Sequence, residues 1–320
     1  MRRLNFYSFH KNIAEYRFDH NNSIALVEEL SKQFEIIRYE LIANGEFEYQ
    51  GISINHGSIL IFEYDDTKQF KVYDFGDHPY LTVKLSRLHN FIGAIIGQYN
   101  SKFWNAIHTD PKIRQTITAS VYPESVWELG VHNFDQIKEF RQSNKLDNRL
   151  YWRGSLYNQG VPKNYLGVRR ALELLPNYLS SKQFYFGNFP LPFDKYIQES
   201  IGFKLALSIG GGGGAICGDF CFRDIEMLGI GIPVLRPEYI VETHNPLIPN
   251  YHYISVKADF DLNFKYSNHN QLSLNIAKRY LEVIDNIDFL NFISKNARKW
   301  YLDNLTYPKI TYNIIKLLNL

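Results

Sequence analysis

Five consecutive glycines, residues 210–214, follow an apolar segment ending at Ile209 and precede Ala215-Ile216. Such a run gives up side-chain packing and loses much conformational freedom on folding. It is tolerated where a backbone must approach a ligand closely or take positive φ. Gly211, Gly212 and Gly213 therefore read as a ligand loop, set against the plainer reading of a flexible surface loop. Beyond it, Arg223 and Glu226 stand three residues apart, on one face of a short helix that starts beside the loop. A guanidinium fork and free N–H groups at a helix start suit a diphosphate, and a carboxylate suits ribose hydroxyls. An intrahelical Arg–Glu pair on a solvated face is the competing reading, and the neighbouring glycines favour the site. A second basic cluster is Tyr151-Trp152-Arg153-Gly154-Ser155, with Arg169-Arg170 downstream. Arg153 closes an apolar strand, where a buried charge is costly without an anion. An ordinary strand-end arginine in water fits the same residues.

Other patterns exclude chemistry. Gly210, Gly212 and Ala215 satisfy G-x-G-x-x-A, but a glycine run meets many such templates by accident. A Walker loop needs Gly-Lys-Ser/Thr, which Ala215-Ile216-Cys217 lacks. Asp74-Phe75-Gly76 copies a kinase tripeptide without its companion motifs. Asp65-Asp66 and Asp259-Phe260-Asp261 read as solvated turns, so no metal site and no resident cofactor is expected. His252, in Tyr251-His252-Tyr253, is either a sugar or base contact or a hydrogen-bonded structural histidine, and Trp152 reads as core.

The elements that must position these residues follow a regular order in the second half. Strands are expected at residues 150–153, 183–186, 204–209, 232–235 and 253–256. Helices are expected at 163–175, 193–200 and 222–228. Alternation of this kind implies a parallel, Rossmann-like sheet with helices on both faces. Amphipathic helices at 272–285, 289–302 and 308–317 close the chain, and a tail crossing back onto the first domain is one way to bury them. The first half reads as α/β. A helix begins after Ser23 and runs through Ile37, strands lie at 52–54, 58–64 and 70–73, and a second helix spans 83–99. The polar stretch 142–149 places the domain boundary, giving domains 1–149 and 150–320.

The 320 residues carry 35 Lys+Arg against 33 Asp+Glu, a formal charge of +2, which supplies no general attraction to nucleic acid or anionic membranes. With 45% apolar residues the chain can build two cores. Two cysteines at i, i+4 fit neither a disulfide framework nor a zinc site. No apolar run reaches membrane-spanning length and no leader pattern opens the chain, so a cytoplasmic protein is expected.

Trp152-Arg153-Gly154-Ser155 with a downstream arginine, the strand at 204–209 with its glycines, Arg223 in its helix, and Pro249-Asn250-Tyr251-His252-Tyr253-Ile254-Ser255-Val256 together resemble glycosyltransferase family 90, the capsule-associated and protein O-glucosyltransferases. Tyr251 stands where tryptophan is usual and Ser255 where proline is. The resemblance implies two Rossmann-like domains facing a cleft (GT-B). It further implies inverting transfer from a UDP-sugar to a glycan or protein hydroxyl, without metal. Arg153, Ser155 and one of Arg169 or Arg170 would match the family's nucleotide-diphosphate contacts, with Gly154 between the first two on the donor side, and Arg223 its second phosphate arginine. Asp77 would match the catalytic base, with Asp74 as the alternative. Two other classes remain open: an oxidoreductase or methyltransferase using the glycine loop, and an inactive glycan-binding module.

Overall fold

The computed structural model describes residues 2–10, 20–43, 47–54, 58–74, 80–96, 113–114, 133–154, 169–187, 189, 191–209, 221–240, 242–260 and 266–320. The chain divides into two compact units. One holds Met1–Ser125, Val241–Pro246 and Asp303–Leu320; the other holds Val126–Ile240 and Leu247–Leu302. The polar stretch 142–149 falls inside the second unit, between a helix ending at Ser143 and a strand starting at Asp147.

In the first unit, six strands form one sheet in the order β2-β1-β5-β6-β7-β8. They are β1 (Arg2–His10), β2 (Phe34–Ala43), β5 (Ser58–Tyr64), β6 (Phe70–Asp74), β7 (Phe91–Ile96) and β8 (Ile113–Arg114). β5 runs antiparallel to both of its neighbours, and the remaining pairs are parallel. This sheet is thus mixed, where a Rossmann-like domain would be all parallel. A short hairpin of β3 (Phe47–Tyr49) and β4 (Ile52–Ile54) adds Tyr49 and Ile54 to the core beside Ile61, Phe70, Val72 and Phe91. Helix α1 (His20–Ser31) stops before Phe34, which belongs with Ile37 to β2 and not to the helix. The expected helix at 83–99 is instead α2 (Tyr80–Leu85), a turn, and strand β7. The apolar run Phe-Ile-Gly-Ala-Ile-Ile of β7 is buried on both faces except at Ile92, which is half-buried, and periodicity cannot distinguish such a run from a buried helix.

The second unit carries a five-stranded, wholly parallel sheet in the order β10-β9-β11-β12-β13. Its strands are β9 (Asp147–Arg153), β10 (Phe184–Gly187), β11 (Phe203–Leu207), β12 (Val234–Pro237) and β13 (Ile254–Val256). Alternation along the strands sorts two cores. Leu150, Trp152, Leu205, Leu207 and Leu235 face α4 (Arg170–Leu174) and α7 (His269–Val283). Tyr151, Ala206 and Val234 face the opposite layer, which includes α3 (Phe134–Ser143), α5 (Phe193–Ser200) and α6 (Phe222–Ile230). Helix α8 (Ile287–Asn304) follows α7, and α9 (Tyr307–Leu318) packs on α1, β6 and β7 of the first unit.

The strand order is the 2-1-3-4-5 sequence of doubly wound sheets, which leaves a topological switch point between the carboxyl ends of β9 and β11. Connections leave in opposite directions at such a point, which is where open sheets of this kind generally leave a crevice. Among the described residues no helix is long and apolar enough to cross a membrane.

Candidate functional site

Arg153 ends β9 and Gly154 follows it on one side of the switch point, and Ser208 and Ile209 follow β11 on the other. Residues 210–220, which include Gly211, Gly212 and Gly213, lie outside the described residues, as do Ser155 and Asp77. The two ends of the glycine-containing segment are close: Ser208 Oγ and Cys221 Sγ are 3.2 Å apart.

Cys221 caps α6. The Asp224 carboxylate, one turn into the helix, accepts from the Cys221 backbone N–H at 2.9 Å and ion-pairs with Arg236 at the end of β12. Asp224 and Arg236 are both fully buried. The start of α6 is thereby tied to the sheet by a carboxylate that also favours the helix dipole. At the other end Gly231 takes φ 73°, and Ile232 N–H reaches back to the Met227 carbonyl at 2.9 Å. This left-handed stop turns the chain directly into β12.

From the first turn of α6, Arg223 reaches back over β9. Its guanidinium lies 5.3 Å from the Trp152 ring centroid, Nε donates to the Tyr196 hydroxyl at 3.3 Å, and Nη2 donates to the Arg153 carbonyl. Glu226 lies one turn further along. Burial pushes its carboxyl up to about 7, opposed by the Arg223 charge and a hydrogen bond with Tyr196. Arg223 and Glu226 stand one turn apart on α6, and both meet the Tyr196 hydroxyl.

Arg153 projects elsewhere. Nε and Nη2 meet the two Glu199 oxygens at 2.5 and 2.6 Å, Nη2 also donates to the Tyr185 hydroxyl at 2.7 Å, and Nη1 donates to the Phe189 carbonyl at 3.0 Å. Burial alone would push the Glu199 carboxyl up, but the hydrogen bonds from Arg153 and Tyr185 outweigh it and hold the group below its ordinary value. Gly154 N–H donates to the Gly187 carbonyl at 2.9 Å.

Of the other expected site residues, Arg169 stands at the start of α4 and His252 just before β13. Arg169 is partly buried at the amino end of α4, and Arg170 beside it is exposed. His252 precedes β13. Strand register sets Ile254 level with Leu235, Leu235 with Leu207, and Ala206 with Tyr151. His252 therefore sits about three residues, roughly 10 Å, toward the amino end from the level of Arg153, and three strands across. Its Nδ1 accepts from the Ile248 N–H at 2.9 Å, and burial pushes its pKa down to about 4. That hydrogen bond fits the structural reading of the two the sequence left open. In the first unit Asp74 ends β6, buried, with the Thr82 hydroxyl donating to Oδ2 at 2.6 Å.

Sequence reasoning passed over Glu199, Tyr185, Tyr196 and Gly187. Helix 193–200 was expected with the observed bounds, yet no local pattern joins its Glu199 to an arginine 46 positions earlier.

No protein-family model and no curated protein sequence matches the chain. Among solved structures, a glycosyltransferase from Rickettsia africae ESF-5 aligns over 98% of this chain and 97% of its own at 11% identity, with a TM-score of 0.47. Anabaena HepE in complex with UDP and glucose aligns over 100% of both chains at 9% identity, with a TM-score of 0.51, and this chain shares its fold.

Proposed function

We propose that the protein is a glycosyltransferase that takes its sugar from a UDP-sugar. The observation that carries the reading is the placement of Arg223: a guanidinium delivered from a helix start onto the carbonyl of Arg153, at the switch point of a parallel sheet. Ligands of open α/β sheets bind outside the carboxyl ends of the strands at such a point. The fold shared with HepE, whose structure holds UDP and glucose, adds support.

On this reading the diphosphate meets Arg223 and the backbone of the glycine run, and Glu226 faces the ribose. A carboxylate of the first unit removes the proton from an acceptor hydroxyl. The hydroxyl oxygen bonds to the anomeric carbon as the bond from that carbon to the phosphate oxygen breaks, and UDP leaves with inversion. Arg223 stabilises the charge that develops on the leaving group, the task a metal performs in other transferases. Asp74 is already buried against Thr82, so Asp77 is the base we favour. Membership of glycosyltransferase family 90 belongs to the same proposal.

Calorimetry with UDP, NAD and S-adenosylmethionine tests it. UDP should bind, unaffected by chelator, and Arg223→Ala should weaken it; preference for either of the other ligands would reverse the assignment. Hydrolysis of UDP-sugars should cease in Asp77→Asn, whereas retained turnover would move the base elsewhere.

A further inference from the structure

A guanidinium offers five N–H donors. Four contacts of Arg153, to both Glu199 oxygens, the Tyr185 hydroxyl and the Phe189 carbonyl, occupy it within its own chain, and the Glu199 carboxylate fills the bidentate fork that a phosphate would use. The side chain is 12% exposed and lies across Gly187, where a Cβ would come within 2.7 Å of Arg153 Cζ. The main chain of the same residue does something different. Its carbonyl accepts from Arg223 Nη2, and a Cβ on Gly154 would stand 3.2 Å from that same nitrogen. The bare end of β9 is the platform on which the Arg223 guanidinium rests.

We infer that Arg153 is a positioning residue: clamped by Glu199, Tyr185 and Phe189, it fixes the end of β9 so that its carbonyl aims Arg223 at the diphosphate. The inference rests on the donor reading above and specifies which of the two arginines touches the ligand. It has a consequence opposite to simple electrostatics. Glu199, a carboxylate beside an anion site, strengthens anion binding, because it holds the clamp.

The test is calorimetric titration of UDP and of uridine into the wild type, Arg223→Ala, Arg153→Gln, the double variant and Glu199→Gln, with a thermal melt of each. Arg223→Ala should lower UDP affinity about tenfold or more and leave uridine unchanged. Arg153→Gln should also lose UDP affinity selectively, and the double variant should bind UDP no more weakly than Arg223→Ala alone. Glu199→Gln should lower UDP affinity although it removes a negative charge. Additive losses in the double variant, or tighter UDP binding by Glu199→Gln, would make Arg153 a direct phosphate ligand restrained by Glu199 and overturn the inference. Equal losses for UDP and uridine would reduce Arg153 to a general structural role, also against it. Should Arg153→Gln fail to fold, the sign of the Glu199→Gln effect decides alone. A wild type that ignores UDP, or an Arg223→Ala variant that binds it normally, rejects the donor reading itself.

Discussion

Burial pushes the Glu226 carboxyl from 4.5 up to about 7, against the pull of Arg223 and the Tyr196 hydrogen bond. An acid raised in this way keeps its proton in the native state where the unfolded chain has already lost it. Its contribution to stability is therefore present at low pH and is lost as pH rises from 4.5 to about 7. His252 acts in the opposite sense. Burial lowers it from 6.5 to about 4, so it stays neutral while the unfolded chain takes up a proton, and stability is lost as pH falls through that window. The two effects overlap and blunt each other in the wild type, which makes the difference between proteins the informative quantity. Glu226→Gln should be no more stable than wild type at pH 5 and more stable at pH 8, by urea unfolding across the range; a pH-independent difference would refute the raised value. Gly187 offers a second residue-scale prediction. A methyl group there meets the Arg153 guanidinium at 2.7 Å, and four contacts pin that guanidinium in place. Gly187→Ala should cost about 1–3 kcal/mol in denaturant unfolding, as overpacking does. A cost below a few tenths would mean that the clamp yields freely.

Helix α6 is held at both ends by different means, a buried ion pair at its start and a left-handed glycine at its finish. Removing one partner of a buried pair strands the other charge, so Asp224→Asn should destabilise the second unit by about 3–5 kcal/mol. Pairing it with Arg236→Met should restore much of the loss, because a buried ion pair is often replaceable by apolar side chains. If the double variant is no better than the single, the pair does more than satisfy itself. Elements of this unit were legible because each strand is a short apolar run bounded by turn residues: 150–153 and 204–209 fall within a few residues of β9 and β11. In the first unit the same logic found β4 and β5 but failed at β7, where burial on both sides erases the alternation that marks a strand. The site was half legible. Arg153 was visible as a charge closing an apolar strand and Arg223 as one opening a helix beside the glycine run, whereas the Glu199 clamp arises from helix packing between distant segments and leaves no local trace. The level of His252 in the sheet was hidden for a related reason: a motif records neighbours along the chain, and only strand pairing says at which end of the sheet they lie.

At the scale of the whole molecule, chain order and unit membership part company. Residues Asp303–Leu320 belong to the unit that begins the chain, after all five strands of the second sheet have been laid down. The reason is visible in α9. Pro308 sits in its first turn, where a missing N–H costs nothing, and Asn319 closes it at φ 52°. Its apolar stripe, Ile310, Ile314 and Leu318, is buried, and Lys71 of β6 donates to the Asn319 carbonyl at 2.6 Å. An 18-residue segment with such a stripe finds its partner by apolar burial. Three side chains of this kind contribute on the order of 5 kcal/mol, comparable to the full stability of a domain. Removing residues 305–320 should therefore open the first unit selectively. Hydrogen exchange should accelerate in β6 and β7 while β9 and β11 keep their protection, and the variant should bind a hydrophobic dye that the full chain excludes. Equal acceleration in both units would mean that the two cores unfold as one cooperative body; unchanged protection in β6 and β7 would mean that the mixed sheet stands without its last helix.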